Sequence, residues 1–216
     1  MLVAKDIHKS YGELKVLKGV DFEVRKNEIV SITGASGAGK STLLHILGTL
    51  DNPDKGNVFI NDENVLKLNS TKKANFRNTH IGFIFQFHNL LPEFTALENV
   101  CIPALIRGNS FYDAEERAKN ILEKLGVGGR GSHKPSELSG GEQQRVSVAR
   151  ALINSPSIIF ADEPSGNLDS KNAEQLHELF FKLRDELGQT FVIVTHNTSL
   201  AQMADRKLEM RDGIFI

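Results

Sequence analysis

The chain has one cysteine, no tryptophan, two tyrosines and six prolines, and neither sign of charge dominates, with 27 acidic against 26 basic residues in 216. Cys101 has no partner for an intramolecular disulfide, so a reducing, cytosolic compartment is expected. No charged, apolar and small-residue leader opens the chain at Met1-Leu2-Val3-Ala4-Lys5. The near-cancellation of charge leaves no chain-wide positive field, so no nucleic-acid partner is expected. Apolar runs such as Phe191-Val192-Ile193-Val194 fall far short of the roughly 20 residues a membrane helix needs. Contact with a membrane must therefore come through a partner.

What is present is alternation. Short apolar runs bounded by turns alternate with segments of helical period, the pattern of an α/β domain with buried parallel strands. Glu28 to Thr33, Ile81 to Phe85, Ile158 to Ala161 and Phe191 to Thr195 read as such strands. Leu2 to His8 and Val20 to Val24 read as strands of a smaller antiparallel sheet. Leu176, Leu179, Phe180, Leu183 and Leu187 share one helical face, as do Ala114, Ala118, Ile121, Leu122 and Leu125, and both stripes are expected in the core. Between Gln86 and about Ala151 strand signals give way to helical ones, which predicts a helical subdomain. The length suits one domain.

Gly34-Ala35-Ser36-Gly37-Ala38-Gly39-Lys40-Ser41 fits G-x-x-x-x-G-K-[ST], and it follows a predicted strand and opens a predicted helix, Ser41 to Thr49. Glycines let backbone N–H groups wrap a phosphate, and the helix N-terminus adds partial positive charge. Lys40 is expected at the β- and γ-phosphates and the Ser41 hydroxyl on Mg²⁺. Thr42 completes the phosphate-binding stretch. A second strand ends in Asp162-Glu163, at the sheet edge where ligands of α/β folds collect. Asp162 is placed to hold Mg²⁺, directly or through water, and Glu163 to polarise a water for in-line attack.

Leu138-Ser139-Gly140-Gly141-Glu142-Gln143-Gln144-Arg145 opens another helix. On physical grounds it is either a second anion-binding helix start or simply a well-capped helix, since Ser139 and Glu142 spell a capping box. Its sequence and its distance from the phosphate loop resemble the signature of ABC (ATP-binding cassette) ATPases, and the resemblance extends over essentially the whole chain. It implies a P-loop NTPase, RecA-like core with a small antiparallel β subdomain (1–86 and 151–216) and an inserted helical subdomain (about 87–150). It also implies a dimer of cassettes in the ATP-bound state, with Ser139, Gly140, Gly141 and Glu142 facing the ATP held by the partner cassette.

Other roles follow from the same resemblance. Tyr11 matches the aromatic that stacks on adenine, and Gln86 the glutamine that senses Mg²⁺ and the attacking water. Asp169, in Ser165-Gly166-Asn167-Leu168-Asp169, matches the key carboxylate of a loop crossing the dimer interface, and His196 the switch histidine at the γ-phosphate. Departures are mild: Ala35 and Ala38 where Pro or Ser is often found, Ser165 for a frequent Thr, Asn197 for a frequent Asp.

Phe76-Arg77-Asn78, the run Ile81 to Pro92, Phe94 to Val100 and the ending Leu208 to Gly213 are similar to the lipoprotein-releasing branch of the family. That implies a peripheral ATPase on the cytoplasmic face of the bacterial inner membrane, driving integral membrane permease subunits. Macrolide exporters and non-transporting cell-division complexes share much of this stretch, and the catalytic residues do not separate them. A chromosome-maintenance ATPase is excluded, because no sustained heptad pattern lies between Thr42 and Glu137.

Overall fold

The structure, a computed structural model, describes residues 1–216. Two sheets form. In the smaller one β1 (Leu2–Tyr11) and β2 (Leu14–Val24) make a hairpin with Tyr11 opposite Leu14, and β4 (Lys55–Ile60) and β5 (Glu63–Asn64) extend it in the order β2-β1-β4-β5. Asn61 and Asp62, at φ 50° and 67°, turn the β4–β5 hairpin in the left-handed region that tight two-residue turns require.

The larger sheet runs β10-β9-β3-β8-β7-β6, with β3 (Ile29–Thr33), β6 (Ile81–Phe85), β7 (Ile158–Asp162), β8 (Thr190–Val194), β9 (Arg206–Arg211) and β10 (Ile214–Phe215). All neighbours are parallel except β10, which pairs antiparallel with β9. Side chains alternate across this sheet, as period 2 demands. Val30, Ile32, Ile158, Phe160, Val192 and Val194 face the core shared with β1, β2 and helix α1 (Lys40–Leu47). Ile29, Ile159, Ala161, Phe191 and Ile193 face the other way, onto α5 (Gly140–Leu152) and α6 (Ser170–Leu187). Both faces are covered, so the strands read as continuous apolar runs.

Between β6 and β7 there is no strand; α3 (Ala96–Ile106), α4 (Phe111–Lys124) and α5 pack on one another there. Cys101 is buried in α3, and burial pushes its thiol up to about 11, so it stays protonated and inert. The remaining helices are α2 (Ser70–His80) and α7 (Thr198–Met203).

Some expectations shift. The strands expected from Glu28 and Phe191 begin at Ile29 and Thr190, and α1 starts at Lys40 and ends at Leu47, with Thr49 already at φ 63°. Leu187 leaves the core stripe of α6 and is 54% exposed, because it is the last residue before the Gly188 C-cap. Ile121 is only partly buried. No helix is long and apolar enough to cross a membrane.

Candidate active site

The phosphate loop leaves β3 and enters α1. Gly34 adopts φ 144°, and a Cβ there would sit 2.1 Å from the Met210 carbonyl oxygen, so only glycine lets the loop lie against β9. Gly39 caps α1 at φ 104° with no side-chain cap. In consequence no acceptor takes the amides of Gly37, Gly39, Lys40, Ser41 or Thr42. Five open N–H groups at a helix start are a ready anion cradle. Lys40 Nζ, almost buried, donates to the carbonyls of Gly34 and Ala35 at 2.9 Å each. Burial pushes its pKa down, against the pull of Glu163 and Asp162.

The second strand end lies beside the loop. Ser41 Oγ donates to Asp162 Oδ1 at 3.1 Å. Glu163 follows in the left-handed region, φ 47°, a bend fixed by its own N–H donating to the Val194 carbonyl. One carboxylate oxygen, Oε2, accepts from the His196 amide at 3.0 Å. The other, Oε1, is buried and takes no hydrogen bond, although His196 Nε2 lies 3.2 Å away. An unused carboxylate lone pair beside the cradle is suited to accept a proton from water. Leu14, Val16, Ser36, Gly37, Gly39, Lys40, Ser41, Thr42, Glu163 and His196 together line a cavity of about 350 Å³.

Gln86 follows directly on β6, and its amide Nε2 donates to Asn167 Oδ1 at 2.9 Å while Asn167 Nδ2 donates back to the Gln86 backbone carbonyl at 3.1 Å. A Cβ on Gly166 would meet that amide at 2.9 Å, so glycine lets the two loops interlock. Gln86 joins Ser41, Asp162 and Glu163 around an adjoining cleft. Beneath it, His177 Nε2 and Ser165 Oγ bond at 3.1 Å in the core, where burial holds the imidazole below its ordinary pKa. Neither Asn167 as the latch of Gln86 nor His177 under the loop was expected from the sequence. The only signal for His177 is a polar residue beside the apolar stripe of α6.

Tyr11 is 54% exposed, with its hydroxyl donating to Asp51 Oδ2 at 2.9 Å. Lys9 also bonds Asp51 and lies 5.1 Å from the Tyr11 ring centroid, which fixes the ring's orientation. Tyr11 does not line the phosphate cavity itself.

Ser139, Gly140, Gly141 and Glu142 do not line it either. Ser139 N-caps α5, and Glu142 accepts from its amide and hydroxyl at 2.8 Å each, so the capping box is real. The Ser139 bonds and Arg130 Nε at 2.7 Å hold the Glu142 carboxyl down at about 2. Asp169 N-caps α6 through the Asn172 amide, and Asn172 Oδ1 stands 2.6 Å from where a Gly141 Cβ would be. The signature and the Asp169 turn thus touch within one chain, away from that chain's own phosphate loop.

A larger cavity, about 680 Å³, opens at the opposite edge of the sheet, near Lys26, Asn61, Pro156 and Gly188. It holds none of the residues just described; the smaller cavity has the chemistry.

A profile of the ABC transporter family matches residues 17–166, which span the phosphate loop, the signature and the Asp162-Glu163 strand. The chain belongs to the ABC transporter family. Among similar proteins of this family is a lipoprotein-releasing system ATP-binding protein of Cytophaga hutchinsonii, 62% identical over all 216 residues and 99% of its own length. A protein of the same description from Shewanella oneidensis is 52% identical over 98% of this chain and 92% of its own. Among solved structures, a dimeric ATP-binding cassette in a post-hydrolysis state with ADP and phosphate superposes with a TM-score of 0.91 at 41% identity, covering 100% of this chain and 96% of that one. The cassette described here binds and hydrolyses ATP as its family does, and the RecA-like architecture expected from the sequence is the one observed.

Proposed function

We propose that this cassette powers a lipoprotein-releasing complex on the cytoplasmic face of the bacterial inner membrane. The observation that carries the reading is full-length similarity, at 62%, to an ATPase of such a system. Two copies of the chain would enclose two ATP molecules, each phosphate cradle facing the other's Ser139-Gly140-Gly141 helix start. The 41%-identical cassette is itself dimeric with ADP and phosphate, which supports this arrangement.

The oxygen donors around the cradle suit Mg²⁺, which takes few protein ligands and keeps phosphate oxygens and water. Ser41, Asp162 and Gln86, whose amide nitrogen is engaged by Asn167, would hold it. When bound it neutralises charge on the β- and γ-phosphates. Lys40 exchanges its two loop carbonyls for phosphate oxygens. Glu163 takes a proton from the attacking water at Oε1 while the His196 amide keeps Oε2 in place. His196, 55% exposed at its side chain, is free to turn to the γ-phosphate. Tyr11 offers its ring to the adenine.

Coupling to the permease is assigned to a groove of about 480 Å³ beside Gln86, lined by Leu50, Phe83, Phe85, Pro103, Ile106 and their neighbours. The stretch after Gln86 divides in two: Leu90 and Leu97 pack on the core, while Phe87, Leu91 and Phe94 are exposed. The lining carries Arg77 and Arg150 and no carboxylate, so a short apolar segment with an acidic residue is complementary to it. Leu50→Glu or Ile106→Glu, both exposed in the lining, should keep ATP binding and lose partner-stimulated hydrolysis; full stimulation in both contradicts the groove.

The decisive experiment on chemistry is Glu163→Gln. It keeps size and hydrogen bonding but cannot accept the proton, so kcat should fall by about 10²–10⁴ while ATP still binds. The variant should accumulate as an ATP-bound dimer on size-exclusion chromatography. A monomer that still turns over ATP refutes both roles. Depletion in cells should strand lipoproteins in the inner membrane; filamentation with normal lipoprotein sorting points to the cell-division alternative instead.

A further inference from the structure

The two residues after Phe87 are both left-handed without being glycine: His88 at φ 57° and Asn89 at φ 51°. Such conformations are strained for L-residues and persist when their surroundings hold them. The holder is visible. Arg150, in the last turn of α5, donates from Nη1 to the Asn89 carbonyl at 2.6 Å and from Nη2 to the His88 carbonyl at 2.7 Å. No carboxylate offsets this half-buried guanidinium, and burial alone lowers its pKa. A cation kept out of water without a counter-charge is costly, so the two carbonyls are its compensation. His88 itself is 9% exposed, and its Nε2 has no partner, so its side chain does not anchor the turn by hydrogen bonding there.

The turn begins two residues after Gln86. Gln86 is latched on its other side by Asn167. The helix carrying Arg150 starts at Gly140, with Ser139 as its N-cap. We propose that Arg150 is a positioning residue for hydrolysis: its guanidinium clamps the His88–Asn89 turn, sets where Gln86 presents its amide, and ties that setting to the helix that faces the partner cassette's nucleotide. The proposal rests on the role assigned above to Gln86.

The geometry explains why arginine is needed. Two carbonyls about one peptide apart require two diverging N–H donors held in one plane, which a guanidinium supplies and a single ammonium does not. Glycine at Asn89 would remove one of the two left-handed penalties, because it meets no Cβ clash at positive φ, and leave only His88 to be held.

The test uses the full-length chain and measures steady-state ATPase activity as a function of ATP and of Mg²⁺, with thermal melting as the folding control. Arg150→Lys should lower kcat about tenfold with the KM for ATP within twofold of the parent, and shift Mg²⁺ activation to higher concentration. Adding Asn89→Gly should recover part of kcat, about threefold, a rescue that a purely packing role of Arg150 would not show. In a Gln86→Ala background, Arg150→Lys should cost less than twofold, since the residue it positions is gone. A full tenfold loss in that background, no rescue by Asn89→Gly, or an intact kcat in Arg150→Lys overturns the proposal. With the co-purified permease subunits added, loss of stimulation alone, with basal kcat and Mg²⁺ dependence unchanged, also overturns it, and makes Arg150 a docking residue of the groove. If Gln86→Ala alone keeps the parental kcat, the reading of Gln86 falls and the proposal with it; a slow Gln86→Ala with an additive Arg150→Lys defeat leaves that reading standing and removes only the clamp.

Discussion

Two helices in this chain begin at an anion-ready terminus, and they are built in opposite ways. At α1 the cap is Gly39, no side chain touches the terminus, and five successive or near-successive amides are open. At α5 the cap is Ser139, Glu142 sits back on it, and only the amides of Gly140 and Gly141 remain without an acceptor. The first terminus is left unsatisfied by the chain and waits for phosphate; its stability as a helix start depends on the packing of Leu43, Leu44, Ile46 and Leu47 beneath it. The second is partly satisfied by its own cap and carries a carboxylate of its own. In the proposed dimer a triphosphate would therefore be held by the loop before α1 and only touched by the start of the partner's α5, which suits a site whose second half must let go after each turnover.

Lys40→Ala would break this comparison on the strong side. The ammonium spends its charge on two neutral carbonyls until phosphate arrives, and hydrogen bonds to charged groups contribute about 1.5–3 kcal/mol. Affinity for ATP should fall roughly 10- to 100-fold, read by titration with a fluorescent analogue. Unchanged affinity would mean the five amides suffice alone. On the weak side, Gly141→Ala pushes a methyl group toward Asn172, whose side chain is bonded to Asp169. The isolated chain should bind ATP within twofold of the parent, while the ATP-driven dimer, trapped in a Glu163→Gln background, should weaken about tenfold by size-exclusion chromatography. Equal damage to both measurements would show that the two termini are not separate functions.

The strong side was also the more legible. Its glycines, lysine and hydroxyl lie within eight residues, and a local motif survives in sequence because every contact is made along one loop. The parallel strands were legible because both faces are buried. What was hidden depends on distant pairs. The Gln86–Asn167 latch joins residues 81 positions apart, and the His88–Asn89 turn is held from Arg150 on another helix. Helix α2 escaped notice because Phe76 is its only buried residue, leaving no apolar stripe, and β9 because only Met210 in it is buried. Ser139 shows the limit of pattern reading from the other direction. Its capping-box geometry is present and accounts for the residues physically, and the second task proposed for the same residues, at the partner's nucleotide, rests on the relation to a family alone.

The smallest effect concerns that capping box. The Glu142 carboxyl sits at about 2 in the folded chain against an ordinary 4.5, so the folded state prefers its charged form. A depressed carboxylate contributes stability that is fully present above 4.5 and is lost as pH falls through 2. The nominal shift overstates the gain, since the Arg130 and Glu142 side chains are 48% and 26% exposed and water screens their attraction; about 1 kcal/mol is a reasonable expectation. Glu142→Gln should therefore lower the denaturation free energy by about 1 kcal/mol at pH 7, with the same deficit at pH 5. Below pH 4.5 the parent begins to lose what the variant never had, and the two unfolding curves should draw together through pH 3 and converge near pH 2. A deficit that persists undiminished at pH 3 would assign the loss to packing or hydrogen-bond geometry at the helix start. The same variant sharpens the comparison of the two termini. Removing a negative charge from the start of α5 makes it more like α1, so the ATP-bound dimer should hold at least as tightly even as the monomer becomes less stable.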